Sequence, residues 1–338
     1  MADIKVLGID LGKSNFHVIG HNEAGRTIYK KAFTKKALIA YLSKLPACIV
    51  AMESCPGSQW LGRKVESFGH DTRLLPPQYV KAYVKTNKND FIDADAIAEA
   101  AIRPNMRFVP IKSVEQQSAL VTHKLRDSFI KQRTACMTQI HAFLLEFGVN
   151  HGKGHPAIRR VPELLEDADI ELPPELRKSI NHLYEHYQYL NEQIKSLEKR
   201  IDAYISQDES SQKLLTIPGI GMHTASRLVA EVGNAHRFNN GREMAAWLGL
   251  TPRQHSTGGK QKLLGISKRG NKQLRCLLVH CARSILRFKH KYSDTAFGNW
   301  IALMQQNKTF NVATVALANK LARIAWAVLR KNEEFILA

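Results

Sequence analysis

Residues 5–15, KVLGIDLGKSN, limit what this chain can fold into more than any other stretch. Val6-Leu7-Gly8-Ile9 is a short apolar run that reads as a buried strand, with one carboxylate, Asp10, at its end. Gly8 and Gly12 keep the backbone around that carboxylate bare. An acid at the tip of a core strand is poorly placed for packing and well placed to hold a divalent cation.

The next hundred residues supply partners. Residues 16–21 and 26–33 are β-rich, with Asn22-Glu23-Ala24-Gly25 as the turn between them. Thr34 reads as the cap of a helix carrying Leu38, Leu42 and Leu45. Residues 48–52 form a short apolar strand ending on Glu53, 60–68 a second helix, and 73–75 a fifth strand before Pro76-Pro77. Three antiparallel strands followed by alternating helices and strands is the order of an α/β RNase H-like fold. There the first and fourth strands are neighbours, so Asp10 and Glu53 would meet. Asp90 and Asp93 open a helix in NDFIDADAIAEA. Their i, i+3 spacing puts both on one face, in the first turn, where negative charge is favoured. Four such carboxylates suit two Mg²⁺ ions, with Mn²⁺ as substitute, because these ions take oxygen ligands and need no His or Cys. Singly, each acid also fits a turn, a strand end or a helix cap; the convergence carries the reading. Asp95 and Glu99 read as solvated helix surface.

Charge sets the partner class. The chain has 49 Lys and Arg against 30 acids in 338 residues, a formal +19. Such a balance favours polyanions, nucleic acid first. No basic membrane anchor appears, and no apolar run reaches the roughly 18 residues of a membrane span. The N-terminus enters a strand without a signal-peptide core, and five cysteines form no CxxC pair. A cytoplasmic protein with free thiols is expected.

Residues 114–147 read as one long helix with an apolar stripe of Val121, Leu125, Phe129, Cys136, Ile140, Phe143 and Phe147 and a charged face that includes His123. His151 and His155 fall in a loop and lack acid or Cys partners for a metal. Ile180, Leu183, Tyr187, Leu190, Ile194, Leu197, Ile201 and Tyr204 repeat three and four apart, a heptad seam. It pairs either with the preceding helix or with another subunit. The chain thus divides into an α/β catalytic domain (1–112), a helical coiled-coil linker or dimerisation region (113–208) and a mainly α C-terminal domain (209–338).

In the last of these, residues 214–228 contain Pro218-Gly219-Ile220-Gly221 between two helical runs, which resembles a helix-hairpin-helix. That motif aims backbone N–H groups at a DNA phosphate, here through Gly219 and Gly221. Residues 244–293 contain no Asp or Glu at all. Arg253, His255, Lys260, Lys262, Lys268, Arg269, Lys272 and Arg275 crowd the same span, beyond the mixed charge of an ordinary surface. At its centre is TPRQHSTGGK, where Ser256 and Thr257 precede two glycines among cations. Cations there would favour bound phosphate and activate a hydroxyl.

Together GIDLGKSNFHV, AMESC, KNDFIDADAIA, LLTIPGIGMHTASRLVAEVG, WLGLTPRQHSTGGKQKLLGISKRGNKQLR and LLVHCAR resemble the DEDD transposases of bacterial insertion sequences. This is the IS one-ten / IS eleven-eleven group, related to Piv-type invertases, and the likeness spans the chain. It implies a RuvC-like N-terminal domain with Asp10, Glu53, Asp90 and Asp93 as its acids. It also implies a serine that joins transiently to DNA, and a structured guide RNA pairing with element and target DNA. Many relatives read S-S-G-G where this chain has Ser256-Thr257-Gly258-Gly259. Ser256 is the serine of that loop, with Thr257 in reserve. The expected activity is DNA strand cleavage and rejoining by a homo-oligomer, a dimer or a tetramer on DNA. Alternatives are a RuvC-like nuclease using water, a non-catalytic nucleic-acid binder, and an actin-like ATPase. The last is suggested by GIDLGKSN but lacks the second, D-x-G-G loop.

Overall fold

The computed structural model describes residues 3–84 and 89–337. Met1 and Ala2, which the sequence runs directly into the first strand, lie outside the described residues. The chain forms two compact units, Met1–Ser113 and Val114–Ala338.

The first unit is a mixed five-stranded sheet. β1 (Val6–Leu11), β2 (Asn15–His21) and β3 (Thr27–Thr34) form an antiparallel meander; α1 (Lys35–Leu42), β4 (Ile49–Glu53), α2 (Ser58–Glu66) and β5 (Asp71–Leu75) follow. The order is β3-β2-β1-β4-β5, with β4 parallel to both β1 and β5. Thr34 caps α1 as its sequence position requires, accepting from the Ala37 N–H. A one-turn helix α3 (Pro77–Val80) leads toward α4 (Asp90–Ala101). Leu7, Ile9, Val18, Val50 and Met52 face α1 and α2, while Val6 and Ala51 face the alanine-rich side of α4.

Gly8 explains how α4 lies so close. A Cβ there would stand 2.1 Å from the Ala94 carbonyl oxygen and 2.8 Å from the Ala98 nitrogen. Glycine in β1 and small residues on α4 let helix and strand touch backbone to backbone. Gly8 therefore serves helix approach rather than bare access to Asp10.

The second unit is helical. α5 (Val114–Glu146) and α8 (Pro174–Gln207) run alongside each other, with α6 (Gly154–Arg159) and α7 (Val161–Glu166) between them in sequence. The heptad seam is used within the chain: Ile180, Tyr187, Leu190, Ile194, Leu197 and Ile201 are buried and Leu183 half-buried, while at its end Ile205 is buried in place of the half-buried Tyr204. The expected stripe on α5 needs correction. Cys136 and Ile140 are buried as expected, but Val121, Leu125, Phe143 and Phe147 are exposed, and Leu120, His123 and Leu144 are buried in their place. His123 is inside because its Nε2 bonds Ser226 Oγ at 2.8 Å, a polar partner that hydropathy could not reveal.

α9 (Glu209–Leu215), α10 (Met222–Val232), α11 (Gly241–Trp247), strands β6 (Pro252–Gln254) and β7 (Leu263–Ile266), α12 (Lys272–Arg287), α13 (Ala296–Asn307) and α14 (Phe310–Lys331) complete it. Against the expectation that no apolar run reaches the length of a membrane span, α14 is apolar and long enough to cross one by length and composition. It supplies core here, burying Leu317, Leu321, Ala325 and Leu329 against the other helices.

Candidate active site and nucleic-acid interface

The strand ends place the acids. The parallel ladder pairs Ile9 with Met52, so Asp10 and Glu53 stand side by side one residue beyond it. Alternation puts Asp10 on the face of Gly8 and Glu53 on the face of Ala51, both toward α4. On α4, Asn89 is the cap, its side chain accepting from the Phe91 N–H at 2.9 Å. Asp90 and Asp93 thus fall in the first helical turn. Glu53 is half-buried, and its carboxyl is pushed up by burial and by the negative charges of Asp10 and Asp93. The same field, after burial, raises the Cys55 thiol through Glu53 and Asp10. Three of the acids therefore share one field, and the fourth joins through His17.

His17 is a member that sequence reasoning missed. It pairs with Asp10 across the β1–β2 ladder, and its Nδ1 lies 3.4 Å from Asp90 Oδ2. Ligand atoms of Asp10, His17 and Asp90 all lie within 4.8 Å of one another. The ring sits edge-on to Phe91, 4.7 Å between centroids. Its Nδ1 is buried and makes no hydrogen bond, only the 3.4 Å approach to Asp90. The hairpin register, which brings residue 17 opposite residue 10, was the signal available. Two residues further along the same face after Ile19, the His21 Nε2–H donates to Asp95 Oδ1 over 2.7 Å. Asp95 is accordingly a tether of α4 to β2, not the solvated acid expected, while Glu99 pairs with Arg103.

The serine lies on the β6–β7 hairpin of the second unit. Lys260 N–H donates to the Thr257 carbonyl at 3.1 Å, and Gly258 and Gly259 have φ of 56° and 75°. That is a two-residue turn with both central residues left-handed, which two glycines accommodate without strain. Ser256 is exposed beside the turn, its Oγ accepting from Gln254 Nε2 at 2.8 Å. Arg253, His255, Lys260 and Lys262 are exposed around it.

The hairpin base is clasped tightly. A Cβ on Gly249 would lie 2.1 Å from the Arg269 oxygen, and one on Gly270 1.8 Å from the Trp247 oxygen. Arg275 is buried and donates to the Leu248 carbonyl at 2.8 Å. Its guanidinium is spent on this clasp, unlike exposed Lys268, Arg269 and Lys272. In the turn between α9 and α10, Gly219 packs against Ile285, where a Cβ would come within 2.6 Å. Gly221 caps α10 in open space. His155 bonds the Tyr187 hydroxyl, while His151 stacks on His141 with the Nε2 atoms of both rings buried and without a hydrogen bond.

Comparison with known proteins decides what this apparatus belongs to. A model of DEDD transposases matches residues 7–148, and the model described as "Transposase IS116/IS110/IS902 family" matches residues 211–297. The transposase for insertion sequence element IS1328 of Yersinia enterocolitica is 43% identical over 335 residues, 99% of each chain. This chain belongs to the IS116/IS110/IS902 transposase family. The transposase for insertion sequence element IS1111A of Coxiella burnetii is 40% identical, with 99% of this chain and 92% of that one aligned. A pilin gene-inverting protein of Moraxella bovis is 25% identical over 97% of each. The protein is thus an insertion-sequence transposase, a DNA recombinase of a family that uses a divalent metal.

Proposed function

We propose that this transposase cuts and rejoins DNA in a RuvC-type, RNase H-like site where Asp10, Glu53, Asp90 and Asp93 hold Mg²⁺, with Ser256 as nucleophile. Glu53 carries the reading: burial and the charges of Asp10 and Asp93 press on its carboxyl, and a bound cation relieves that repulsion. An all-oxygen set with one histidine beside it suits Mg²⁺, and Mn²⁺ would substitute. Bound there, the ions would polarise the phosphodiester and offset charge developing on its oxygens. The chain's own groups do the rest. The β1 and β4 ends and the first turn of α4 orient the carboxylates, and His17 braces Asp90.

The hairpin presents Ser256 among cations that attract phosphate. Its Oγ forms a bond to phosphorus as a sugar oxygen leaves; the hydroxyl proton passes to solvent, and the leaving oxygen takes one up. Rejoining reverses these steps with a new strand. Thr257 is the reserve nucleophile. Lys260, Lys262, Lys268, Arg269, Lys272, Arg253 and His255 form the phosphate platform, and Gly219 and Gly221 form a helix-hairpin-helix contact. Arg275 positions the hairpin.

The same reading divides the chain into a catalytic domain (1–112), a helical spacer (113–208) and a serine-bearing domain (209–338). Family resemblance and the basic surface support an element-encoded guide RNA and a homo-oligomer acting on cytoplasmic DNA.

The test is a nicked suicide duplex bearing an element end. Wild type should yield an SDS-resistant adduct that peptide mapping places at Ser256. Ser256→Ala and Asp93→Asn should both stop cleavage and keep DNA bound. Full cleavage without an adduct would instead favour a nuclease that uses water.

A further inference from the structure

Besides the acids and the hairpin, the second unit holds a cavity of about 600 Å³ between α11, α13 and α14. Its lining is unusual: two indoles, Trp300 and Trp326, three cations, Arg242, Lys320 and Arg323, the amide of Asn319, and no carboxylate. α14 offers Ala316, Lys320, Arg323 and Ala327 at i, i+4, i+7 and i+11, so one helix face sets two neighbouring cations between two alanines. Gly241 lets α11 close the other side, since a Cβ there would meet the Arg323 backbone at 3.0 Å. Trp326 is fixed, its indole N–H donating to the Phe238 carbonyl at 3.1 Å. The Lys320 ammonium rests over the Trp300 ring, 4.1 Å from its centroid, and partial burial beside Arg323 lowers its pKa.

We infer that this cavity is a binding site for an unpaired nucleotide of single-stranded nucleic acid, the base taking the place of the Lys320 ammonium over Trp300 and its phosphate taken by the displaced Lys320, Arg323 and Arg242. The volume falls within the roughly 300–1,000 Å³ of small-ligand sites. Aromatic faces bordered by cations are how proteins hold single strands without reading sequence. A duplex keeps its bases stacked and cannot offer one to a recess of this kind. The site rests on the nucleic-acid reading above but differs from the serine hairpin in residues and in role, since it would hold a looped-out or displaced strand.

The full chain is titrated with a dT hexamer, an rU hexamer and a 12-base-pair duplex, following tryptophan fluorescence. Both hexamers should quench saturably and the duplex should not. Trp300→Leu should weaken hexamer binding about tenfold, within the range of one lost base stack. Exposed Arg323→Glu, which leaves packing alone, should weaken it similarly. Preference for rU over dT would assign the site to guide RNA, and the reverse to a displaced DNA strand. Unchanged hexamer affinity in both variants would overturn the site. Lys260→Ala with Lys262→Ala separates the two readings: it should weaken duplex binding and spare the hexamers. Hexamer binding that follows this hairpin variant and ignores Trp300→Leu would sink the cavity while leaving the platform standing.

Discussion

Gly8→Ala should damage the active site through a single methyl group. The added Cβ would stand 2.1 Å from the Ala94 oxygen. Carbon–oxygen contacts relax near 3.3 Å, so α4 must withdraw from β1 by about 1 Å. The atoms struck are helix backbone, which cannot rotate away as a side chain would. Overpacking of this kind typically costs 1–3 kcal/mol. The larger effect is on chemistry. Asp90 and Asp93 ride on α4, whereas Asp10 and Glu53 stay with the strands, so the methyl separates the two halves of the carboxylate set. A misplacement of about 1 Å costs on the order of 10²-fold in rate. Strand cleavage on a supercoiled plasmid carrying element ends should fall by about that factor and demand more divalent metal, while duplex binding through the hairpin stays near wild type. Cleavage and metal requirement equal to wild type, in a protein melting normally, would refute the claim that Gly8 sets the seat of α4.

Binding to duplex DNA should weaken steeply with salt. Six phosphate contacts from the hairpin region predict a slope of log K against log salt of about −5, and a flat response would remove the platform. Unit-two stability should fall as pH drops from 6.5 toward 4. Burial, then Arg227, pushes His123 down to about 4 from 6.5, so only the unfolded chain takes up the proton in that window. The loss amounts to roughly 3 kcal/mol at most, it is absent above 6.5, and His123→Gln should flatten it in urea titrations followed by tryptophan fluorescence. Leu190→Asp with Leu197→Asp should unfold the helical pair, since both leucines are buried; each should cost roughly 3 kcal/mol or more. A folded variant of unchanged stability and reduced mass by light scattering would show that the seam pairs subunits instead.

The sheet was legible because its signals are local: an apolar run ending on an acid, a turn at Asn22-Glu23-Ala24-Gly25, a cap at Thr34. The order of strands then followed from the succession of elements. What escaped depended on tertiary partners. His17 becomes part of the site only through its register with Asp10 and the descent of α4. Asp95 reads as surface until His21 is seen across from it. His123 sits in a charged run, yet Ser226, a hundred residues later, gives it a reason to be inside. Arg275 shared the acid-free span with seven other cationic or histidine candidates, and pattern alone could not separate the one that bonds carbonyls from those that face solvent. The Trp300 cavity joins α13 and α14 to α11, about fifty residues earlier, and periodicity on any one of them shows only ordinary amphipathicity.

The two units handle charge in opposite ways, and each way has a physical reason. In the first, acids are gathered where strand ends and a helix N-terminus meet, and burial together with their mutual repulsion keeps Glu53 from ionising easily. Such a site repels a bare phosphate and accepts one only together with cations. In the second, cations surround a hydroxyl on an exposed turn and cluster without acids in a tryptophan-lined recess. That half would gather the polyanion by itself. Metal should therefore govern cleavage far more than binding, and salt should govern binding far more than the acids do. Chelation that abolished DNA binding along with cleavage would contradict this separation, because it would mean that the acidic site, not the basic surface, holds the strand.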